Sequence, residues 1–285
     1  MPLILGKQPF HISFSGGRTS AYMTKLLLDN WSDDYEFIVT FANTGLEHPK
    51  TLEFVHNCDK YFGFNTVWLE AVVQHGKRAA PTHKVVTFET ASRSGEPFEE
   101  VIKKYGIPNA AFPGCTRDLK LAPIHSYLRD IGLEPNKVPT AIGIRSDETR
   151  RVNPKTAKDR KLIYPLIDPW PRDKQDVLDW WEDQEFDLGI DEFEGNCQGC
   201  FKKSLAKHFQ QIERDPSVYD FHRRMEKEHM YTGPQKGARV FFRGNTSTEQ
   251  LFKLYEEHKN DPKRTQRSLY ENGGCSESCE VLETL

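Results

Sequence analysis

"HISFSGGRTSAYM", His11 to Met23, joins three textures in one short stretch. The run from Phe10 to Ser15 alternates apolar and polar residues with the period of a half-buried strand. Gly16 and Gly17 stop it, and Arg18, Thr19 and Ser20 follow before the helix-spaced "AYMTKLLLD". A strand that ends in glycines and feeds a helix can cradle an anion. Glycine lets backbone N–H groups come close, the Ser15 and Ser20 hydroxyls add donors, and the helix N-terminus adds its positive end. Arg18 brings a charge able to neutralise a phosphate. The same residues also suit a plain tight turn, and neither a G-K-[ST] loop nor a G-x-G-x-x-G pattern is present here.

The alternation continues beyond this stretch. "YEFIVTFA" (Tyr35 to Ala42) reads as a buried strand, and Pro49 and Gly63 bracket a helix over 49–62. "NTVWLEA" and "HKVVTFE" read as a third and a fourth strand, the residues after Cys115 as a helix, and "KVPTAIGI" (Lys137 to Ile144) as another buried strand. Strands separated by helices predict an α/β fold, with a mostly parallel, Rossmann-like sheet covered on both faces. After Asp168 the texture changes to the acidic amphipathic "DKQDVLDWWEDQ" and a long charged helical stretch from Ser204 to Tyr231. The expected organisation is an α/β domain over 1–170 and a mostly helical region over 171–285 with a polar tail.

The whole chain bounds these readings. It has 285 residues, 37% hydrophobic and 28% charged, as expected of a globular protein with room for a sizeable core. A net charge of -3 gives no global reason to expect nucleic acid. No membrane span or secretory signal is expected, so a cytoplasmic location is. Six cysteines in a reducing compartment point to metal or redox chemistry before disulfides.

S-G-G-x-x-S after an alternating strand resembles the PP-loop of the ATP-pyrophosphatase and phosphoadenosine-phosphosulfate (PAPS) reductase superfamily. Ser15, Gly16, Gly17 and Ser20 match that loop, whereas Thr19 stands where ATP-using members commonly carry Asp. "FANTGLEHPKTLEFV" (Phe41 to Val55) is similar to the family's D-T-G segment, with Asn43 in place of Asp, then Thr44 and Gly45. "GIRSDETRR" (Gly143 to Arg151) resembles its G-x-R-x-[DE] loop and "YPLIDPW" (Tyr164 to Trp170) its P-L-x-D-W segment. The resemblance implies an adenine nucleotide, ATP or PAPS or its unphosphorylated relative APS, held by Ser15 to Ser20 and Asn43 to Gly45. Arg145 follows a strand, faces the same crevice and is a candidate phosphate or sulfate clamp.

"CTRDLKLAPI" (Cys115 to Ile124) and "NCQGC" (Asn196 to Cys200) resemble two segments of the family's iron–sulfur branch, which imply a [4Fe–4S] cluster on Cys115, Cys197 and Cys200. Thr116 replaces the second cysteine of the first segment, which leaves three matched ligands, and Lys120 matches the family's lysine. Several converging thiolates also suit zinc, the rival metal, although a fourth zinc ligand is not obvious. A structural thiol beside an incidental C-x-x-C is the plainest alternative. In the tail, "GGCSESC" places Cys275 and Cys279 where PAPS reductases carry a nucleophilic cysteine, so Cys275 is a catalytic candidate, although acidic neighbours would raise its pKa. Cys58 reads as core, and His48 as either a structural histidine or a nucleotide contact.

Two enzyme readings follow. In one, ATP adenylates an oxygen of an acceptor, an RNA, a DNA or a small molecule, pyrophosphate leaves, and sulfur from the cluster replaces the activated oxygen, with a thiol as a candidate sulfur donor. In the other, PAPS or APS is reduced to sulfite by a thiol electron donor. A nucleotide-binding module with a structural metal is the third reading, and an oligomer fits any of them. The basic residues Arg150, Arg151, Lys155, Lys158, Arg160 and Lys161 are either a solvated surface or a hold for a nucleic-acid backbone.

Overall fold

The opening strand lies inside the sheet. In the computed structural model, which describes residues 6–195, 197–233 and 237–260, β1 (Gln8–Ser13) pairs in parallel with β2 (Tyr35–Asn43) on one side and β5 (Thr140–Ala141) on the other. β3 (Val67–Val72) extends the sheet beyond β2, β4 (Thr82–Val86) closes that edge antiparallel to β3, and β6 (Leu162–Ile163) closes the other edge. The order β4-β3-β2-β1-β5-β6 steps outward from β1 in one direction and returns to its other flank. The strand order therefore reverses between β1 and β5, and the crevice at their carboxyl ends is where such sheets bind ligands. The α/β expectation holds, with one antiparallel edge.

Helix α1 (Arg18–Trp31) joins β1 to β2, and α2 (Pro49–Phe62) joins β2 to β3. Pro49 opens α2, its N-cap His48 accepts from the Lys50 N–H, and Gly63 closes it in the left-handed region. Phe10, Ile12 and Phe14 pack with α1, α2 and Cys58 in one core cluster, while His11 and Ser13 face the opposite side of the sheet. There His11 bridges its two neighbour strands, with Nε2 2.9 Å from Thr40 Oγ1 and Nδ1 3.2 Å from Thr140 Oγ1.

The helix read after Cys115 starts as a π-helical turn, Thr116–Leu121, and runs on as α4 (Ala122–Asp130) on that opposite face. The strand read over 137–144 keeps a regular ladder only at Thr140–Ala141. Pro139 has no N–H to give, and beyond Ile142 the chain turns to lie against the start of α1. Helices α3 (Glu96–Tyr105) and α5 (Pro154–Arg160) arise in stretches not assigned above.

Beyond residue 170, α6 (Lys174–Glu182) returns to the first core: Val177, Trp181, Leu188 and Ile190 are buried against α1 and α2. The long charged stretch is not one helix. Pro216 interrupts it, giving α7 (Leu205–Arg214), a 3-10 turn capped by Asp215, and α8 (Asp220–His229). These and α9 (Thr248–Asn260) pack with α3 and the Cys115 segment around Tyr219, Met225 and Phe241. Cys275 and Cys279 lie outside the described residues.

Candidate nucleotide and thiol site

The loop after β1 is internally bonded. Ser15 N–H donates to Ser20 Oγ at 3.2 Å, the two serine hydroxyls are 2.8 Å apart, and Ser20 Oγ donates to the Gly17 carbonyl. Gly17 caps α1 with no side-chain partner, so the helix presents its first-turn N–H groups at the sheet's carboxyl end. Gly16 has φ +80°, and a Cβ there would stand 2.9 Å from Thr51 Cγ2 and 3.0 Å from Phe41 Cε2. Only glycine fits both the conformation and the space.

Arg145 reaches this loop. Its side chain is 7% exposed and its Nη1 donates to Thr19 Oγ1 at 3.2 Å. Two carboxylates already hold it: Asp147 Oδ1 accepts from Nε at 2.9 Å, and Glu148 Oε1 lies 3.5 Å from Nη2. Arg145 thus enters the crevice with its charge largely balanced. Arg18 points elsewhere, with Nε and Nη2 each donating at 2.6 Å to the carboxylate of Asp187. Thr19 is buried against Arg145, in the position where the resemblance expects an acid.

The loop after β2 carries the second half of the site. Asn43 Nδ2 donates to Glu70 Oε1 at 2.7 Å and to the Ser92 carbonyl, while its Oδ1 accepts from Gly45 N–H. Glu47 receives both the N–H and the hydroxyl of Thr44, each at 2.9 Å. Onto this loop docks the C-x-x-C turn. Gln198 N–H donates to the Leu46 carbonyl at 2.7 Å, and Cys197 Sγ lies 3.3 Å from Thr44 Oγ1. His48, as the N-cap of α2, approaches Glu194 at 4.0 Å.

Cys115, Cys197 and Cys200 line one cavity with about 510 Å³ of empty space, together with Thr44, Thr116 and Lys120. Phe98, Leu119, Phe201 and Phe241 make its walls largely apolar. Burial, with Glu47 adding to it, pushes the Cys197 thiol up to about 12, and Lys120 opposes the shift. As a free group it is a neutral thiol rather than a nucleophile. Among the described residues, the three sulfurs do not all lie within 4.8 Å of one another. A tetrahedral zinc site, with Zn–S bonds of about 2.3 Å, needs sulfurs about 3.8 Å apart. A cubane spreads its thiolates over separate irons and accepts a wider set. The three thiols share one cavity, and that arrangement alone does not select a cluster over zinc.

A family model for the phosphoadenosine phosphosulfate reductase domain matches residues 9–168. The chain belongs to the PAPS reductase family. The uncharacterised nin region protein ORF290 of Escherichia phage lambda is 33% identical over 95% of this chain and 94% of its own length. Two uncharacterised proteins of Methanocaldococcus jannaschii are 27% and 32% identical over 50% and 59% of this chain, covering 24% and 32% of theirs. The PAPS reductase match includes the Ser15–Ser20 loop, Asn43–Gly45, Cys115 and Arg145, and ends before Cys197. Among the described residues, no helix is long and apolar enough to cross a membrane.

Some participants escaped the sequence reading. Glu47 stands three residues after Thr44, a spacing that suits a side chain reaching back to a loop N–H, and this signal was available. Lys203 and His222 had none. Lys203 follows the turn directly and bonds to it through its N–H, whereas His222 reaches it only through the packing of α8.

Proposed function

We propose that this PAPS reductase family member binds an adenine nucleotide at the β1–β5 crevice and uses it in sulfur chemistry at the adjoining thiol cavity. The observation that carries this is the docking of the Cys197–Cys200 turn on the loop after β2, through the Thr44 and Leu46 contacts. β1 and β2 are parallel neighbours, so the loops at their carboxyl ends stand side by side. Three cysteines beside a nucleotide crevice favour a sulfur-handling enzyme over a plain binding module.

Ser15 to Ser20 would receive the phosphate chain, with backbone N–H groups and hydroxyls as donors. Asn43, Thr44 and Gly45 would shape the neighbouring wall, and Lys120 would hold a developing negative charge between crevice and cavity. Arg145 would orient the loop through Thr19 and meet the anion as a partly compensated charge. Arg18 would join only by leaving Asp187. Cys115, Cys197 and Cys200 would hold a [4Fe–4S] cluster, which supplies an iron able to bind sulfur or pass an electron. In the favoured reaction, an acceptor oxygen attacks the α-phosphorus of ATP, pyrophosphate leaves, and a sulfur nucleophile then displaces AMP. The acceptor is a nucleic acid or a small molecule. The family match also favours a second reading, in which PAPS or APS is reduced to sulfite by a thiol donor that is oxidised to a disulfide.

The deciding experiment offers ATP and PAPS separately to anaerobically purified protein whose visible spectrum has been recorded. Pyrophosphate release from ATP supports sulfur transfer, and sulfite from PAPS supports reduction. A colourless protein that binds either nucleotide without turnover overturns both. Cys115→Ser is expected to lose the iron chromophore, and full iron content in that variant would remove Cys115 from the ligand set.

A further inference from the structure

Lys203 is 3% exposed, unusual for a lysine. Its backbone N–H donates to the Cys200 carbonyl at 2.9 Å, which fixes it directly behind the Cys197–Cys200 turn. Among the described residues its ammonium finds one weak neutral partner, Gln211 Oε1 at 3.4 Å. That same oxygen accepts the Gly199 N–H at 3.2 Å, so Gln211 ties lysine and turn together.

The groups around Lys203 leave its charge uncompensated. Lys207 adds a second cation and is engaged with Glu192 at 2.7 Å. Glu194 bonds to the Asp191 N–H and lies near His48, and among the described residues it forms no ion pair with Lys203. His208 and His222 are fully buried and held neutral by that burial. What remains is the turn itself: the Cys200 carbonyl holds the Lys203 N–H, and Gln211 ties the ammonium to Gly199, between Cys197 and Cys200. A buried ammonium is costly unless it is paired, and neutral thiols do not pair it.

We propose that Lys203 is the counter-charge of the thiol centre: a buried ammonium behind the C-x-x-C turn that stabilises an anionic metal–thiolate group and governs how tightly it is held. This rests on the reading of Cys197 and Cys200 as metal ligands. Lys203 acts through the turn and is a positioning residue rather than a ligand.

The test titrates Co(II), whose thiolate charge-transfer absorption reports sulfur ligation, into reduced, metal-free full-length protein. Lys203→Met keeps the stem and removes the charge, Lys203→Arg keeps the charge, and Gln211→Glu supplies a competing carboxylate at nearly constant shape. Lys203→Met and Gln211→Glu are each expected to weaken Co(II) binding by at least about tenfold, the range for groups that support metal ligands, with Lys203→Arg close to the wild type. Thermal unfolding checks that each variant is folded. If Lys203→Met fails to fold, Gln211→Glu decides. Wild-type affinity in the folded charge variants overturns the role of Lys203 while leaving the thiol centre intact. A wild type that shows no thiolate–Co(II) absorption and also takes up no iron on anaerobic reconstitution with ferrous iron and sulfide overturns the metal reading, and this inference with it.

Discussion

Gly199 has φ +64° in the middle of the Cys197–Cys200 turn, and a Cβ there would stand 2.4 Å from Cε1 of His222. The imidazole cannot retreat, because Phe241 packs 4.6 Å from its centroid. Gly199→Ala is therefore expected to cost about 1–3 kcal/mol of stability through backbone strain and overpacking. Thermal unfolding would read it as a lower Tm, and Co(II) affinity should fall because the two sulfurs shift. Gly16→Ala makes the matching case at the other half of the site. Its Cβ would meet Thr51 and Phe41 at 3.0 Å or less, so the loop must lift off α2. Calorimetric titration with ATP should then show binding weakened by at least about tenfold, the loss of one or two anion hydrogen bonds. Both glycines were legible as motif members, since S-G-G-x-x-S and C-x-x-C each name a turn with chemistry beside it. What stayed illegible was the partner that makes each glycine obligatory. His222 comes from α8 and Thr51 from α2, and no spacing in the sequence announces either contact.

At the scale of elements, β1 shows why most of the sheet could be read in advance. Its alternation sends Phe10, Ile12 and Phe14 to one core and His11 and Ser13 to the other face, a period that one strand displays by itself. β5 and β4 were read as strands too, although β5 keeps only two ladder residues, whereas the two-residue β6 and the antiparallel direction of β4 depend on which neighbour is available and carry no local signal. The polar residue within β1 gives a prediction. Burial, with His125 adding to it, lowers the His11 pKa to about 3, against about 6.5 in the unfolded chain. Above pH 6.5 His11 is neutral in both states and its contribution is fully present. Between pH 6.5 and 3 only the unfolded chain takes up the proton, so stability falls as pH drops, by about 1.4 kcal/mol per unit. His11→Gln should lower stability at pH 7, through loss of the Thr40 and Thr140 bridge. It should also flatten the decline between pH 6.5 and 4.5 by about one proton's worth of slope. Urea unfolding at several pH values reads both effects, and an unchanged slope would mean that another group carries the acid sensitivity.

For the whole molecule, the point at issue is whether residues 1–170 stand alone. The change of texture after Asp168 suggested a boundary, and the family match ends at 168 as well. The packing crosses it. Trp181 packs against Phe54 with ring centroids 4.9 Å apart and donates through Nε1 to the Arg18 carbonyl at 3.0 Å, and Asp187 holds the Arg18 side chain. The first turn of α1, which forms one wall of the proposed nucleotide loop, is thus anchored by residues beyond 170. Val177, Trp181, Leu188 and Ile190 are buried in the same core as β1, and each is worth roughly 1.5–3 kcal/mol by apolar burial. Together they are comparable with the roughly 5–15 kcal/mol that separates a folded domain from its unfolded chain. A fragment of residues 1–170 is therefore expected to lack a cooperative thermal transition and to elute as aggregate in size-exclusion chromatography. A fragment of residues 1–195 restores these four side chains and Asp187, and should recover a cooperative transition and ATP binding while lacking the Cys197–Cys200 turn. If 1–170 melts cooperatively and binds ATP as the full chain does, the nucleotide loop does not need its α6 anchor, and the two halves of the site are separable.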